Sequence, residues 1–363
     1  MWPDRRLLDF MDIELPIIQA PMAGANGADM VIAVSEAGGL GSLPCAMLDV
    51  AKARGELGLI REKTTKPINV NFFCHKLAVP DTDREAAWKR HLSTYYEEFQ
   101  LDASISTQVV NRAPFDEAMC EVVEDVKPEV VSFHFGLPSK SLFERVKAAG
   151  SYVLSSATTV DEARWLEDRG CDGIIAQGFE AGGHRGMFLT DETTTQLGTF
   201  ALVPQIVDAV KVPVIAAGGI ADGRGVAAAF ALGAAGVQIG TAYLFTPESL
   251  ISDLHRTALS VARDDGTALT NLFTGRPARG LMNRIMRDIG PLSDLAPAFP
   301  TAGSALAPLK VAAEAIGTSD FTSLWSGQAA GLCNQTSAGD LTRQLADDAV
   351  RRFEKLAAAR PAQ

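Results

Sequence analysis

Short runs of apolar or β-branched residues recur along the chain at 17–20, 39–43, 68–72, 130–134, 152–155, 173–176, 214–217 and 236–239. Most are separated by about 20 to 40 residues that carry a helical pattern, for example at 28–37, 139–149, 160–169 and 226–232. The runs are continuously apolar instead of alternating with polar residues, which is expected of parallel strands buried on both faces by helices. Eight such βα units predict a closed (β/α)8 barrel, the TIM-barrel architecture, in preference to an open doubly wound sheet.

The repeat is interrupted once, between the third and fourth runs. There the spacing predicts an insertion with a charged helical stretch at 81–99 and a second helix at 115–126. After the eighth run, helical patterns follow at 248–263, 305–315 and 338–359. The expected organisation is a barrel from 1–73 and 127–247, with 74–126 and 248–363 forming a helical insertion and lid over the C-terminal face, where barrel enzymes keep their sites. The competing use of that surface is dimerisation, so a monomer or a homodimer is expected.

The chain has 363 residues, 47% of them hydrophobic, 32 glycines and a formal net charge of −11. That balance argues against a nucleic-acid or anionic-membrane surface, both of which require clustered Lys and Arg. Charged residues from Asp4 to Asp12 break any secretory signal core, and no 18-residue apolar span occurs, so a cytoplasmic location is expected. The five cysteines are scattered without CxxC spacing, which suits reduced, buried side chains better than disulfides or zinc. GxSxG, P-loop and HxxxH patterns are missing.

Chemistry concentrates at the C-terminal ends of the strands. Two glycine-rich turns, AQGFEAGGHRG (176–186) and AAGGIADG (216–223), and the strand end QIGT (238–241) suit an anion held by backbone N–H groups. The phosphate of a cofactor would rest on Gly218, Gly219, Gly240 and Thr241. Strand ends at Gln19 to Met22, Asn69 to Asn71, Ser132 to His134 and Gln177 offer amides and backbone groups, which match the donor and acceptor edge of an isoalloxazine ring. His134 ends the fourth strand and is the sharpest acid, base or anion-anchor candidate. His184 is either a phosphate or ribityl contact or an exposed loop residue. His75, His91 and His255 are expected in solvated or helix-packing roles, and Arg276, Arg279 and Arg284 either as carboxylate anchors or, the commoner case, at the surface.

The segments QAPMAG, NVNFFCH, SFHFGLP, AQGFEAGGHRG, AAGGIADGRG with GVQIGT, and GRPARGLMNR together resemble the nitronate monooxygenases, class I bacterial type. The resemblance covers about residues 13 to 350 and implies non-covalently bound FMN. It also implies oxidation of alkyl nitronates, including propionate 3-nitronate, by O2 to a carbonyl compound and nitrite, through one-electron transfer to flavin. It assigns Met22 to a backbone contact with the flavin, Asn71 and Gln177 to side-chain contacts, and Gly182, Gly219, Gln238, Ile239, Gly240 and Thr241 to the ribityl phosphate end; Gly183 is a further cofactor-binding candidate. His134 matches the family's active-site histidine. NADH:quinone reductases and flavin-dependent enoyl-acyl carrier protein reductases resemble the chain in the AGGHRG and AAGGI regions, and would act on the same barrel with a reduced nicotinamide. A non-redox phosphate-binding barrel is the reading from another class; such barrels rely on Lys or carboxylates that these strand ends do not supply.

Overall fold

Eleven strands occur in the computed structural model, which describes residues 2–79, 81–102 and 112–358. They are β1 (Ile17–Gln19), β2 (Gly41–Pro44), β3 (Ile68–Phe73), β4 (Val130–His134), β5 (Tyr152–Ala157), β6 (Gly173–Gln177), β7 (Gly183–His184), β8 (Val214–Ala217), β9 (Gly236–Ile239), β10 (Thr267–Thr270) and β11 (Ala278–Leu281). The eight apolar runs become eight parallel strands in the order β1-β9-β8-β6-β5-β4-β3-β2. A parallel bridge between Ile18 and Leu40 brings the two ends of this sheet together, with the Leu40 N–H donating to Ile17 O at 2.9 Å and the Gln19 N–H to Leu40 O at 3.0 Å. The fold is the expected (β/α)8 barrel.

Alternate residues fill the barrel. Its N-terminal half is apolar, with Ile18, Leu40, Val130, Leu154, Ile175 and Ile215 in one buried cluster. Helix Arg6–Met11 contributes Leu7, Leu8 and Met11 to that cluster and stoppers the N-terminal mouth. The other strand residues, such as Ile17, Val70, Val131 and Val237, join the larger core shared with the outer helices.

Eight helices form the outer ring: Ala28–Glu36, Val50–Lys63, Glu117–Val126, Lys140–Ala148, Val160–Glu167, Thr199–Ala209, Gly223–Ala231 and Ala338–Ala358. Two of them correct expectations. The helix expected within the insertion at 115–126 packs between Val50–Lys63 and Lys140–Ala148, as the barrel's third helix. The helix expected in the lid at 338–359 lies against Gly223–Ala231 and Ala28–Glu36, on the barrel wall beside β1. Its buried positions, Ala338, Leu341, Thr342, Leu345, Ala346 and Ala349, follow helical spacing and make one stripe that covers this seam.

Outside this outer ring remain residues 241–337 and the helices Thr82–His91 and Ser93–Glu98 from the insertion. These two excursions share one core, including Trp88, Tyr96, Leu272, Phe273, Met286 and Phe321. They are also tied by Trp88 Nε1, which donates to Ala302 O at 3.1 Å, and by Tyr96 Oη, which donates to Ala305 O at 2.7 Å. The C-terminal excursion is not wholly helical as expected: β10, β11 and β7 form an antiparallel sheet that pins the glycine turn at 183–184. Among the described residues, no helix is long and apolar enough to cross a membrane.

Candidate active site

Toward the C-terminal mouth the barrel interior turns polar. Asn69 Nδ2 donates to Ser42 Oγ at 3.0 Å and to Ser132 Oγ at 2.9 Å, and Asn71 Nδ2 donates to Ser132 O at 3.1 Å and Ser132 Oγ at 2.9 Å. Gln177 spends its amide on the following loop, donating from Nε2 to His184 O at 3.0 Å and accepting from the Gly186 N–H at 2.7 Å. The Met22 N–H donates to Asn26 Oδ1 at 2.9 Å. Two buried acceptors, Asn69 Oδ1 and Gln238 Oε1, have no partner among the described residues. A buried acceptor left unpaired costs free energy until something donates to it, so Gln238 at the mouth is suited to a ligand N–H.

The glycine turns adjoin this layer. Gly218 and Gly219, after β8, take φ of 107° and 71°, a conformation that strains any side chain. Gly182 is required by packing, since a Cβ there would stand 2.5 Å from the Gly327 N. Gly183 has φ of 70° and open space around it. Gly240 precedes a short 3-10 helix, Thr241–Phe245, and Thr241 Oγ1 accepts from the Gly327 N–H at 2.8 Å. Among the described residues the N–H groups of Gly219, Gly240 and Thr241 carry no hydrogen bond, so these turns can give an anion several backbone donors. Beneath them the fully buried Arg185 donates to Gly178 O at 2.5 Å, Gln177 O at 2.7 Å and Gln196 Oε1 at 3.0 Å, locking the end of β6 to its loop.

On the opposite side, aromatic rings build a chamber around His134. Phe73, Phe135 and His184 stand with ring centroids 4.5–6.2 Å from one another or from His134, and Phe299 and Trp325 extend the wall beside His184 at 5.4 and 5.6 Å. The half-buried His134 sits 3.0 Å from Ser156 Oγ through Nδ1 and 3.2 Å from the His184 carbonyl through Nε2. A carbonyl only accepts, so Nε2 carries the proton and Nδ1 accepts from the serine hydroxyl. Burial pushes the His134 pKa down to about 4, and the positive charges of Arg276 and Arg185 add to the shift, against the bond to His184 O. The imidazole is neutral over the ordinary pH range.

Several expected placements are revised. His184 is not an exposed loop residue: it bonds Thr274 Oγ1 at 2.9 Å and lines the chamber, and burial holds its pKa well below the usual value. His75 is neither solvated nor packed in a helix but 4% exposed, with its ring 4.7 Å from that of Phe299. Arg276 lies over the Phe135 ring at 4.2 Å, and Arg279 is 3% exposed, donating to Phe179 O at 3.0 Å. Arg284 is at the surface as expected, paired with Glu98 at 2.7 Å. His75 could have been found from strand parity, because positions 69, 71, 73 and 75 fall on one side of an extended chain. No local signal marks Phe299, Thr274 or Trp325.

Fold and site together define a (β/α)8-barrel enzyme with a glycine-lined anion cradle on one side of its mouth and a neutral histidine on the other. The family model for nitronate monooxygenase matches residues 4–348, and the chain belongs to that family of oxidoreductases. Nitronate monooxygenase of Pseudomonas aeruginosa is 40% identical over 349 residues, spanning 94% of this chain and 98% of its own. That of Paraburkholderia phytofirmans is 40% identical over 354 residues and covers 97% of both chains. Among solved structures, a nitroalkane oxidase from Streptomyces ansochromogenes superposes with a TM-score of 0.87 at 36% identity, over 97% of this chain and 99% of the other. FabK from Thermotoga maritima gives a TM-score of 0.72 at 28% identity, over 99% of both chains.

Proposed function

We propose that the protein uses FMN to oxidise alkyl nitronates with O2, giving a carbonyl compound and nitrite. The observation that carries this reading is the pairing of a neutral, half-buried His134 with an unpartnered acceptor, Gln238 Oε1, across a mouth ringed by glycine turns. Family membership points the same way. The residues present fit a flavin: Gln238 would accept from a ring N–H, Asn71 would contact the cofactor through its side chain, and the N–H groups of Gly219, Gly240 and Thr241 would take the phosphate, with Gly182, Gly183, Gly218 and Ile239 shaping the cradle. Met22 and Gln177 serve that site through the turns they brace, at 22–26 and 184–186. A bound flavin supplies the electron acceptor between nitronate and O2.

His134 then presents an uncharged ring to an anion that has already lost its α-proton. A nitronate needs no base, and a histidine held near pH 4 is a poor one, so a neutral nitroalkane should react about 10- to 100-fold more slowly through this residue. The aromatic chamber excludes water from the reacting carbon, which strengthens each polar contact made there.

The test is oxygen consumption and nitrite release by the purified holoprotein with the nitronate of 1-nitropropane, with 1-nitropropane itself and with NADH. Nitrite formation from the nitronate, slower turnover of the nitroalkane and no NADH oxidation are expected. Rapid anaerobic bleaching of the flavin by NADH, without turnover of nitronate, would overturn the reading in favour of a nicotinamide-dependent reductase.

A further inference from the structure

One acidic side chain beside the glycine turns takes no part in the proposed reaction. Glu180 lies between the two halves of the AQGFEAGGHRG turn and reaches back to helix Thr199–Ala209, whose own N-cap, Gly198, has no side chain to offer. Its Oε1 and Oε2 accept from the Thr199 N–H at 3.0 and 2.8 Å. The Thr199 hydroxyl, on a residue 9% exposed, shares its one proton between Glu180 Oε2 at 2.8 Å and Gly218 O at 2.9 Å. The fit is close: a Cβ on Gly218 would stand 3.1 Å from Thr199 Oγ1, and one on Gly198 3.0 Å from Glu180 Oε1. Arg185 and Arg279, both buried, stand near enough to Glu180 for its charge to act on theirs, and they offset its repulsion of a neighbouring anion.

The Gly218 carbonyl matters because of the peptide it belongs to. In a planar trans peptide the C=O and the following N–H point in opposite directions. Holding Gly218 O against Thr199 therefore turns the Gly219 N–H away from that residue, to a side where it has no partner among the described residues. Glycine at both positions, with φ of 107° and 71°, removes the Cβ atoms that would otherwise resist a flip of this peptide. We propose that Glu180 and Thr199 are positioning residues that latch the Gly218–Gly219 peptide with its N–H directed at the cofactor phosphate. A flipped peptide would present a carbonyl to that anion, exchanging one donor for a repulsive dipole. Neither residue bonds to His134 or Asn71, so the effect falls on the phosphate end of the site. The latch rests on the proposed use of FMN.

The experiment titrates the full-length protein, stripped of flavin, with FMN and with riboflavin, which lacks only the phosphate, in the wild type, Thr199→Val, Thr199→Ser, Glu180→Ala and Glu180→Gln. The wild type should prefer FMN. That preference, the ratio of the two dissociation constants, is expected to fall about 10-fold in Thr199→Val and Glu180→Ala, with riboflavin affinity within about twofold of the wild type. Thr199→Ser keeps the hydroxyl and should restore the ratio. Glu180→Gln should recover most of it: the amide oxygen still accepts from the Thr199 N–H, and the amide N–H can donate to the hydroxyl, which then gives its proton wholly to Gly218 O. Equal losses on both flavins, or a lower melting temperature with an unaltered ratio, would reduce the pair to a helix cap and overturn the latch. Tighter FMN binding in Glu180→Ala would overturn it as well, since the carboxylate would then act by repulsion. A wild type that binds riboflavin as well as FMN would discard the phosphate site itself, and the latch with it. A preference for FMN kept in every variant would discard the latch alone. Should Glu180→Ala not fold, Thr199→Val against Thr199→Ser decides.

Discussion

Both ring nitrogens of His134 are engaged, and the two partners divide the work. His184 O fixes where the proton sits, and the Ser156 hydroxyl, on a residue only 5% exposed, occupies the remaining lone pair. Ser156→Ala should free Nδ1 and loosen the ring, lowering kcat/KM on a nitronate by about 10-fold while flavin content stays at the wild-type level. An unchanged kcat/KM in a fully loaded variant would show that the serine does not set the histidine. His134 was legible in the sequence because it ends an apolar run, a position that barrel geometry turns inward. His75 and Arg276 were not, although the parity of 69, 71, 73 and 75 was available. The burial of Arg276 is decided by a turn leading into β11, and β11 is held by β7 about a hundred residues earlier, a pairing that no local pattern announces.

At the scale of elements, the barrel strands could be read because each is buried on both faces and therefore continuously apolar. The small sheet could not: β7 is two residues long, and β10 and β11 are four each, too short for a period to show. The helix Ala338–Ala358 was recognised as a helix and placed wrongly. Its sequence reveals an apolar stripe but not which surface receives it, and only the vacancy left by an eight-strand barrel with seven earlier outer helices assigns it to the wall. A wall helix and a lid helix respond differently to loss of the same side chain. Leu345 is 2% exposed in the main core. Leu345→Ala should therefore cost about 2–4 kcal/mol in urea unfolding and leave KM for the nitronate within about twofold. A changed KM with unaltered stability would return this helix to the lid.

Over the whole molecule, four histidines are held neutral by the fold. Burial is the largest cause at each: it lowers His75, His134 and His255 to about 4 and His184 well below its usual value. The arginines Arg112, Arg276, Arg185 and Arg256 act in the same direction. Since the unfolded chain protonates these rings near pH ~6.5 and the folded chain does not, the unfolded state binds more protons below that pH. Stability is thus fully present above pH ~6.5 and is lost as pH falls toward 4, each histidine contributing a slope that approaches about 1.4 kcal/mol per pH unit. The melting temperature should be level from pH 9 to 7 and drop steeply between 6.5 and 4.5. Unfolded-state carboxylates titrate mainly below that window. The formal charge of −11 moves toward neutrality within it, which relieves self-repulsion and works the other way. A steep fall in that interval is therefore attributable to the histidines, and His75→Phe should make it measurably shallower. A melting temperature that holds level down to pH 4.5 would mean that these rings accept protons without leaving the fold.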